Sequence, residues 1–326
     1  MNTDIAQLVS VGLFSPKPDE TIAFFHDYLG MMVTHREGQS AYLRAYEDFY
    51  QYTLKITEAA QPGLEEITWR ASSQEGLERV VGRIKASGMS GAWTDKDYAH
   101  GPAYQFCMPE DHTMKILWDL EYFKAPPELR SKLRNRPSKR PLHGIPVRRI
   151  DHANLMVCDV KLNRDFMVDV LGFKLREQKE GSDGGPVGAW LSVSNLVHEI
   201  AMMRDPSGVR GRFHHVAYWY GVPQHLHDLA DVLAENDIPM EGGPAKHGAT
   251  QAYFLYCFEP GGNRIELFGD NGYQIFDPDW QTVVWDVANE ADLLRSSIWY
   301  GGQLPRSFYR YGTPVVPGYS LEELNA

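Results

Sequence analysis

Two stretches of the chain share one pattern of apolar and polar positions. Residues 8–33 read LVSVGLFSPKPDETIAFFHDYLGMMV: an apolar run of strand character, a polar break, then a helical period ending at Leu29-Gly30. Residues 148–175 read RRIDHANLMVCDVKLNRDFMVDVLGFKL and repeat that plan, ending at Leu171-Gly172. Glycine at this point suits a left-handed residue closing a helix. In the second copy Leu162, Phe166, Val170 and Leu171 are expected on one helical face.

A second pair of segments matches in the same way. Residues 64–89 run LEEITWRASSQEGLERVVGRIKASGM, and residues 211–238 run GRFHHVAYWYGVPQHLHDLADVLAENDI. Aligning Leu77 with Leu226 sets Glu66 opposite His215. Each segment leads to a strand-like ending of equal length, PEDHTMKILWD and PGGNRIELFGD. The chain therefore reads as four modules, each a strand, a helix and about three strands. The expected class is α+β, with a duplicated pair of modules. The expected division is 1–135 for the first pair, 136–270 for the second, and 271–326 for a tail without a repeat partner. The junction SKLRNRPSKRPLHGIPVRR is rich in Pro and basic residues, as linkers are.

Composition narrows the function classes. The length of 326 residues suits about two domains, and 43% hydrophobic with 23% charged residues is ordinary for a globular protein. The formal charge is −11. That sign argues against a nucleic-acid partner and against an anionic membrane surface. The three cysteines, Cys107, Cys158 and Cys257, are far apart, which points to a reducing compartment. The first residues lack a secretory-signal pattern, and no run reaches the ~18 apolar residues of a membrane span. A cytoplasmic protein is expected.

The second half concentrates chemistry on its strands. His152 lies in RRIDHANLMV, His214 and His215 in GRFHHVAYW, and Glu266 in NRIELF. Strand alternation sends His214 and His215 to opposite faces, so one of them is expected to point inward. Two imidazoles and a carboxylate make a facial triad that leaves three positions of an octahedral Fe(II) open. At the corresponding places the first half carries Ser10, Glu66 and Lys115. A protonated lysine cannot bind a cation, so that half reads as a copy without metal.

The segments RIDHANLMV, NLVHEIAM, FHHVAYW, AKHGATQAYFLYCFEPGGNRIELF and the tail VVWDV…PVVP resemble the two-domain extradiol dioxygenases of the vicinal oxygen chelate superfamily. The resemblance covers nearly the whole chain. It implies four βαβββ modules paired into two open-barrel domains. It implies His152, His215 and Glu266 as ligands of Fe(II), with Mn(II) the alternative, and O2 as co-substrate. It further implies His198 as acid–base catalyst, with His247 and Tyr256 contacting the substrate and Asn154 and Trp190 lining the pocket. His214 would support the site from behind. The tail would serve as lid and subunit contact, and the assembly would be a homotetramer.

The implied reaction is ring cleavage of catechol or an alkylcatechol. Homoprotocatechuate enzymes carry an arginine five residues before the pocket histidine, and here that position is Gly242. This lowers carboxylated substrates; catechol and methylcatechol rank first and 2,3-dihydroxybiphenyl, whose enzymes use an open apolar pocket, second. A metal-free protein of the same fold that only sequesters aromatics is the opposing expectation, and the three retained ligand positions count against it.

Overall fold

The computed structural model describes residues 4–270 and 272–325. The first half runs β1 (Ile5–Ser15), α1 (Pro18–Asp27), β2 (Met32–Glu37), β3 (Ser40–Arg44), β4 (Leu54–Glu58), then β5 (Gly63–Ala71), α2 (Gln74–Ala86), β6 (Gly91–Thr94), β7 (Ala103–Cys107), β8 (Thr113–Leu117). The second half repeats it: β9 (Arg149–Val157), α3 (Val160–Asp165), β10 (Lys174–Glu180), β11 (Pro186–Ser192), β12 (Ile200–Arg204), then β13 (Phe213–Trp219), α4 (Gln224–Glu235), β14 (Met240–Lys246), β15 (Tyr253–Phe258), β16 (Arg264–Phe268). The order βαβββ thus occurs four times. Local chemistry sets the helix ends. Ser73 caps α2 by accepting from the Gly76 amide, and Asp159 caps α3 by accepting from the Leu162 amide. Gly30 and Gly172 follow their helices at φ +62° and +81°, where a side chain would be strained.

Each half forms one open sheet. The orders are β2-β3-β4-β1-β5-β8-β7-β6 and β14-β15-β16-β13-β9-β12-β11-β10-β17. The tail supplies β17 (Val283–Asp286), which pairs in parallel with β10, and then α5 (Glu290–Ser297). In both sheets the two modules meet through an antiparallel pair, β1 with β5 and β9 with β13. Apolar side chains from both halves join one core, with Trp69 packing edge-on against Phe173 at 4.9 Å. Residues 130–148 carry no helix or strand.

The duplication extends to register. Ser10 pairs with Thr68, and Thr68 with Lys115. His152 pairs with Ala217, and Ala217 with Glu266. Counting two residues back from Thr68 and Ala217 gives Glu66 and His215. The first half fills its version of the site with a near-buried ion pair, Lys115 Nζ to Glu66 Oε2 at 2.7 Å.

Two local expectations fail. Leu162 is 48% exposed instead of facing the core. The helix face is rotated because Asn163 turns inward to donate to Glu110 of the first half, and because Phe166–Val170 form a π-helical turn that shifts the phase. Strict alternation at His214 and His215 also breaks. Phe213 pairs with Leu155 and His215 with Asn154, so two steps on β13 meet one on β9. That bulge leaves both histidines buried with their rings in edge contact at 4.8 Å.

Candidate metal centre

Three adjacent strands deliver three ligand atoms to one point. β9 contributes His152, β13 His215 and β16 Glu266, all three buried. His152 Nε2 lies 3.2 Å from His215 Nε2 and 2.8 Å from Glu266 Oε2, and His215 Nε2 lies 2.9 Å from the same oxygen. Ligand bonds of about 2.1 Å meeting at right angles separate neighbouring ligand atoms by about 3.0 Å. The residues therefore fit a divalent ion held on one face. The imidazole–carboxylate donor set suits Fe(II) and Mn(II) alike.

The electrostatics agree. Burial opposes charge on Glu266, but His215 and His152 outweigh it and hold the carboxyl well below its usual range. Burial also opposes charge on His152, yet Glu266 and Asp151 push its pKa up. His215 lacks a second carboxylate, so burial pushes it down. A carboxylate is thus locked in anionic form beside two ring nitrogens. Asp151 Oδ1 lies 3.0 Å from His152 Nδ1, a carboxylate that orients the ring and leaves Nε2 to face Glu266.

The three residues form part of the wall of a cavity of about 350 Å³. Asn154, Trp190, His198, His247 and Tyr256 line the same cavity, so the structure brings all eight sequence-predicted site residues together. The His198 ring stacks obliquely on His152 with centroids 4.0 Å apart, and its Nδ1 has no partner among the described residues. Burial, then the neighbouring His152 charge, keeps it well below the usual imidazole range and so neutral. His247 stacks on Phe254 at 3.8 Å. Its Nδ1 donates to the Ser297 carbonyl at 2.6 Å, which leaves Nε2 to accept from the Tyr256 hydroxyl at 3.0 Å. Burial pushes His247 down to about 4. Burial and Glu266 push the Tyr256 phenol well above 10, so it remains a donor.

His214 stands behind the ligand, as expected. Arg264, two residues before Glu266, binds the tail to the same spot. It chelates Glu241 and donates to the carbonyls of His214, Ser307 and Tyr311. The tail then walls the cavity with Ser297, Leu304, Phe308 and Tyr309.

Comparison with known proteins places this site in a family. The model of the Glyoxalase/Bleomycin resistance protein/Dioxygenase superfamily matches residues 149–267, which contain all three donors. A metapyrocatechase from Geobacillus stearothermophilus is 53% identical over 96% of this chain and 95% of its own length. The chain belongs to the extradiol dioxygenases. This dioxygenase is also 37% identical, over 93% of its length and 96% of the relative's, to a manganese-dependent 2,3-dihydroxybiphenyl 1,2-dioxygenase from Geobacillus genomosp. 3. Its fold matches that of homoprotocatechuate 2,3-dioxygenase from Arthrobacter globiformis with a TM-score of 0.83, over 97% of this chain and 94% of the other, at 23% identity.

Several cavity residues of this dioxygenase escape sequence reasoning. Lys179, Gly188 and Phe268 line the cavity, and so do the tail residues just named. The segment KLREQKE carries charges at five of its seven positions, so no pattern in it singles out Lys179.

Proposed function

We propose that this extradiol dioxygenase cleaves catechol or a small alkylcatechol beside its hydroxyl pair, using dioxygen at an Fe(II) held by His152, His215 and Glu266. One ring C–C bond breaks, between a hydroxylated carbon and its unsubstituted neighbour. Both atoms of O2 enter the product, so catechol yields 2-hydroxymuconic semialdehyde with nothing left over. The observation that carries the reading is the convergence of three ligand atoms within 3.2 Å of one another on the wall of a cavity of about 350 Å³.

The bound ion supplies an electron path between diol and dioxygen and acidifies a coordinated hydroxyl. The protein does the rest. Neutral His198, facing the cavity, would take a proton released from the diol and return it to a substrate oxygen later in the reaction. The Tyr256 hydroxyl turns its one proton from His247 Nε2 to a substrate oxygen and steadies its charge. Asn154 and Trp190 fix the ring plane. The apolar walls, including Phe268, Leu304 and Phe308, exclude water from the reacting centre.

A second reading is cleavage of 2,3-dihydroxybiphenyl with Mn(II), supported by the relative of that name. Steady-state rates on catechol, 3- and 4-methylcatechol and 2,3-dihydroxybiphenyl, after loading with Fe(II) or Mn(II), separate the two. A yellow product from catechol with Fe(II), lost in His215→Ala, is the expected result. Failure of every catechol with either ion overturns the reading.

The reading extends to organisation. Residues 1–135 act as the metal-free half, 136–270 as the catalytic half, and 271–326 as a lid that also contacts a neighbouring subunit in a homotetramer. The protein works in the cytoplasm. Three free cysteines support that compartment, and among the described residues no helix is long and apolar enough to cross a membrane.

A further inference from the structure

β10 brings a charge to the cavity that the metal centre does not use. Lys179 lines the cavity with its Nζ 3.4 Å from Ser297 Oγ and 5.5 Å from the centre of the Trp190 ring. Among the described residues no carboxylate comes within ion-pair distance of it. Glu177 on the same strand is committed elsewhere. Its Oε1 accepts from the Thr250 amide and the Tyr273 hydroxyl, and its Oε2 accepts from the Trp285 indole. A part-buried ammonium without a counter-ion is costly to keep. Burial has pushed Lys179 down to about 8, which still leaves it charged near pH 7.

Its place relative to the metal centre decides what it meets. Ser297 touches Lys179 through its hydroxyl and His247 Nδ1 through its carbonyl. The opposite edge of the His247 ring, Nε2, faces Glu266 Oε1 at 3.8 Å. The chain of contacts from Lys179 to Glu266 thus runs through Ser297 and the His247 ring. A catechol whose hydroxyl pair sat at His152, His215 and Glu266 would meet Lys179 with a ring substituent. Gly188 pairs directly across from Lys179 on β11 and lines the cavity too, and the Trp190 ring packs over it where a side chain would stand.

We propose that Lys179, framed by Trp190, Ser297 and Gly188, is an anion subsite that admits catechols bearing a short carboxylate arm. The inference rests on the ring-cleavage reading and widens its substrate class beyond neutral catechols. Gly242, where an arginine was expected for such substrates, then marks a cation supplied from a different strand, not a missing one. The other cations of the lining do not compete equally. Arg204 is tied to Asp183 at 3.1 Å and to the Pro186 carbonyl. Arg310, which has no carboxylate within ion-pair distance among the described residues, serves as the control.

The test compares 3,4-dihydroxyphenylacetate with its methyl ester, which differ in one charge. In the metal-loaded protein, the acid-to-ester ratio of kcat/KM should fall about tenfold in Lys179→Met, as loss of a charge-assisted hydrogen bond does. Lys179→Arg should keep most of the ratio, and Arg310→Met should leave it as it is. Anaerobic calorimetry of both ligands reads the same ratio as affinities, without turnover. A Lys179→Met protein with an unaltered ratio, or one whose ratio falls only in Arg310→Met, overturns the subsite. Normal cleavage of catechol beside that result would leave the ring-cleavage reading standing. Absence of any catechol cleavage, with the affinity ratio still dependent on Lys179, would sink the ring-cleavage reading alone.

Discussion

His214 Nδ1 lies 2.6 Å from Nδ1 of its neighbour His215, while His214 Nε2 lies 2.7 Å from the Phe308 carbonyl. A carbonyl can only accept, so His214 Nε2 carries the proton. His214 is neutral, because burial and the Arg264 charge hold it well below the usual imidazole range. Its Nδ1 is therefore bare and accepts from His215 Nδ1, which leaves the His215 Nε2 lone pair free toward Glu266. The tail thus sets the tautomer of a ligand through one intervening ring.

Removing that acceptor should weaken the metal site without emptying the cavity. His214→Phe is expected to lower Fe(II) or Mn(II) affinity about 10–100-fold, the usual cost of losing a partner that orients a ligand. Competition with a chelator measures it. Affinity equal to that of the parent protein would show that the tautomer is set without His214.

His198 separates binding from chemistry. It is not one of the three ligand residues, and it packs on the His152 ring where it faces the cavity. His198→Phe should keep metal content while kcat falls about 10²–10⁴-fold, the range for a lost acid–base group. Metal analysis with single-turnover rates decides it. A variant that loses its metal would mark His198 as a packing residue of the ligand set.

Much of this site was legible in the sequence, and the reasons for success and failure are physical. His152, His214, His215 and Glu266 stood out because each lies in a strand-like segment, the resemblance to the extradiol dioxygenases chose His215 over His214, and the repeat marked Ser10, Glu66 and Lys115 as their counterparts. Alternation then failed at His214, because a pleat argument assumes a regular strand and β13 is bulged between Phe213 and His215. The helical face failed at Leu162, because Glu110, distant in sequence, draws Asn163 inward. Lys179 and the Arg264 clamp depend on contacts across strands and across the tail. No local period encodes such contacts.

The ion pair in the first half gives a prediction on stability alone. Lys115→Met leaves Glu66 near-buried and unpaired, which should cost about 3 kcal/mol. Lys115→Met combined with Glu66→Gln should recover most of that loss. Denaturant unfolding of the single and double variants gives the coupling. Turnover per bound metal should match the parent in all of them. A fall in turnover would show that the first half acts on the metal centre.

Acid should attack the first half through His100. Its Nδ1 lies 2.8 Å from the Tyr52 hydroxyl, the two rings stack at 4.4 Å, and its Nε2 has no partner among the described residues. Burial, helped by the nearby Lys115 charge, pushes its pKa down to about 3. The unfolded chain takes the proton near 6.5. Between those values the unfolded state binds more protons, so stability falls as pH drops through that window. His100→Gln keeps a hydrogen-bonding group and removes the titration. The stability advantage of the parent over this variant should shrink below pH 6.5 by up to about 1.4 kcal/mol per pH unit. Thermal unfolding of both proteins from pH 7 to pH 4 measures it, and parallel curves would place the acid sensitivity in other groups.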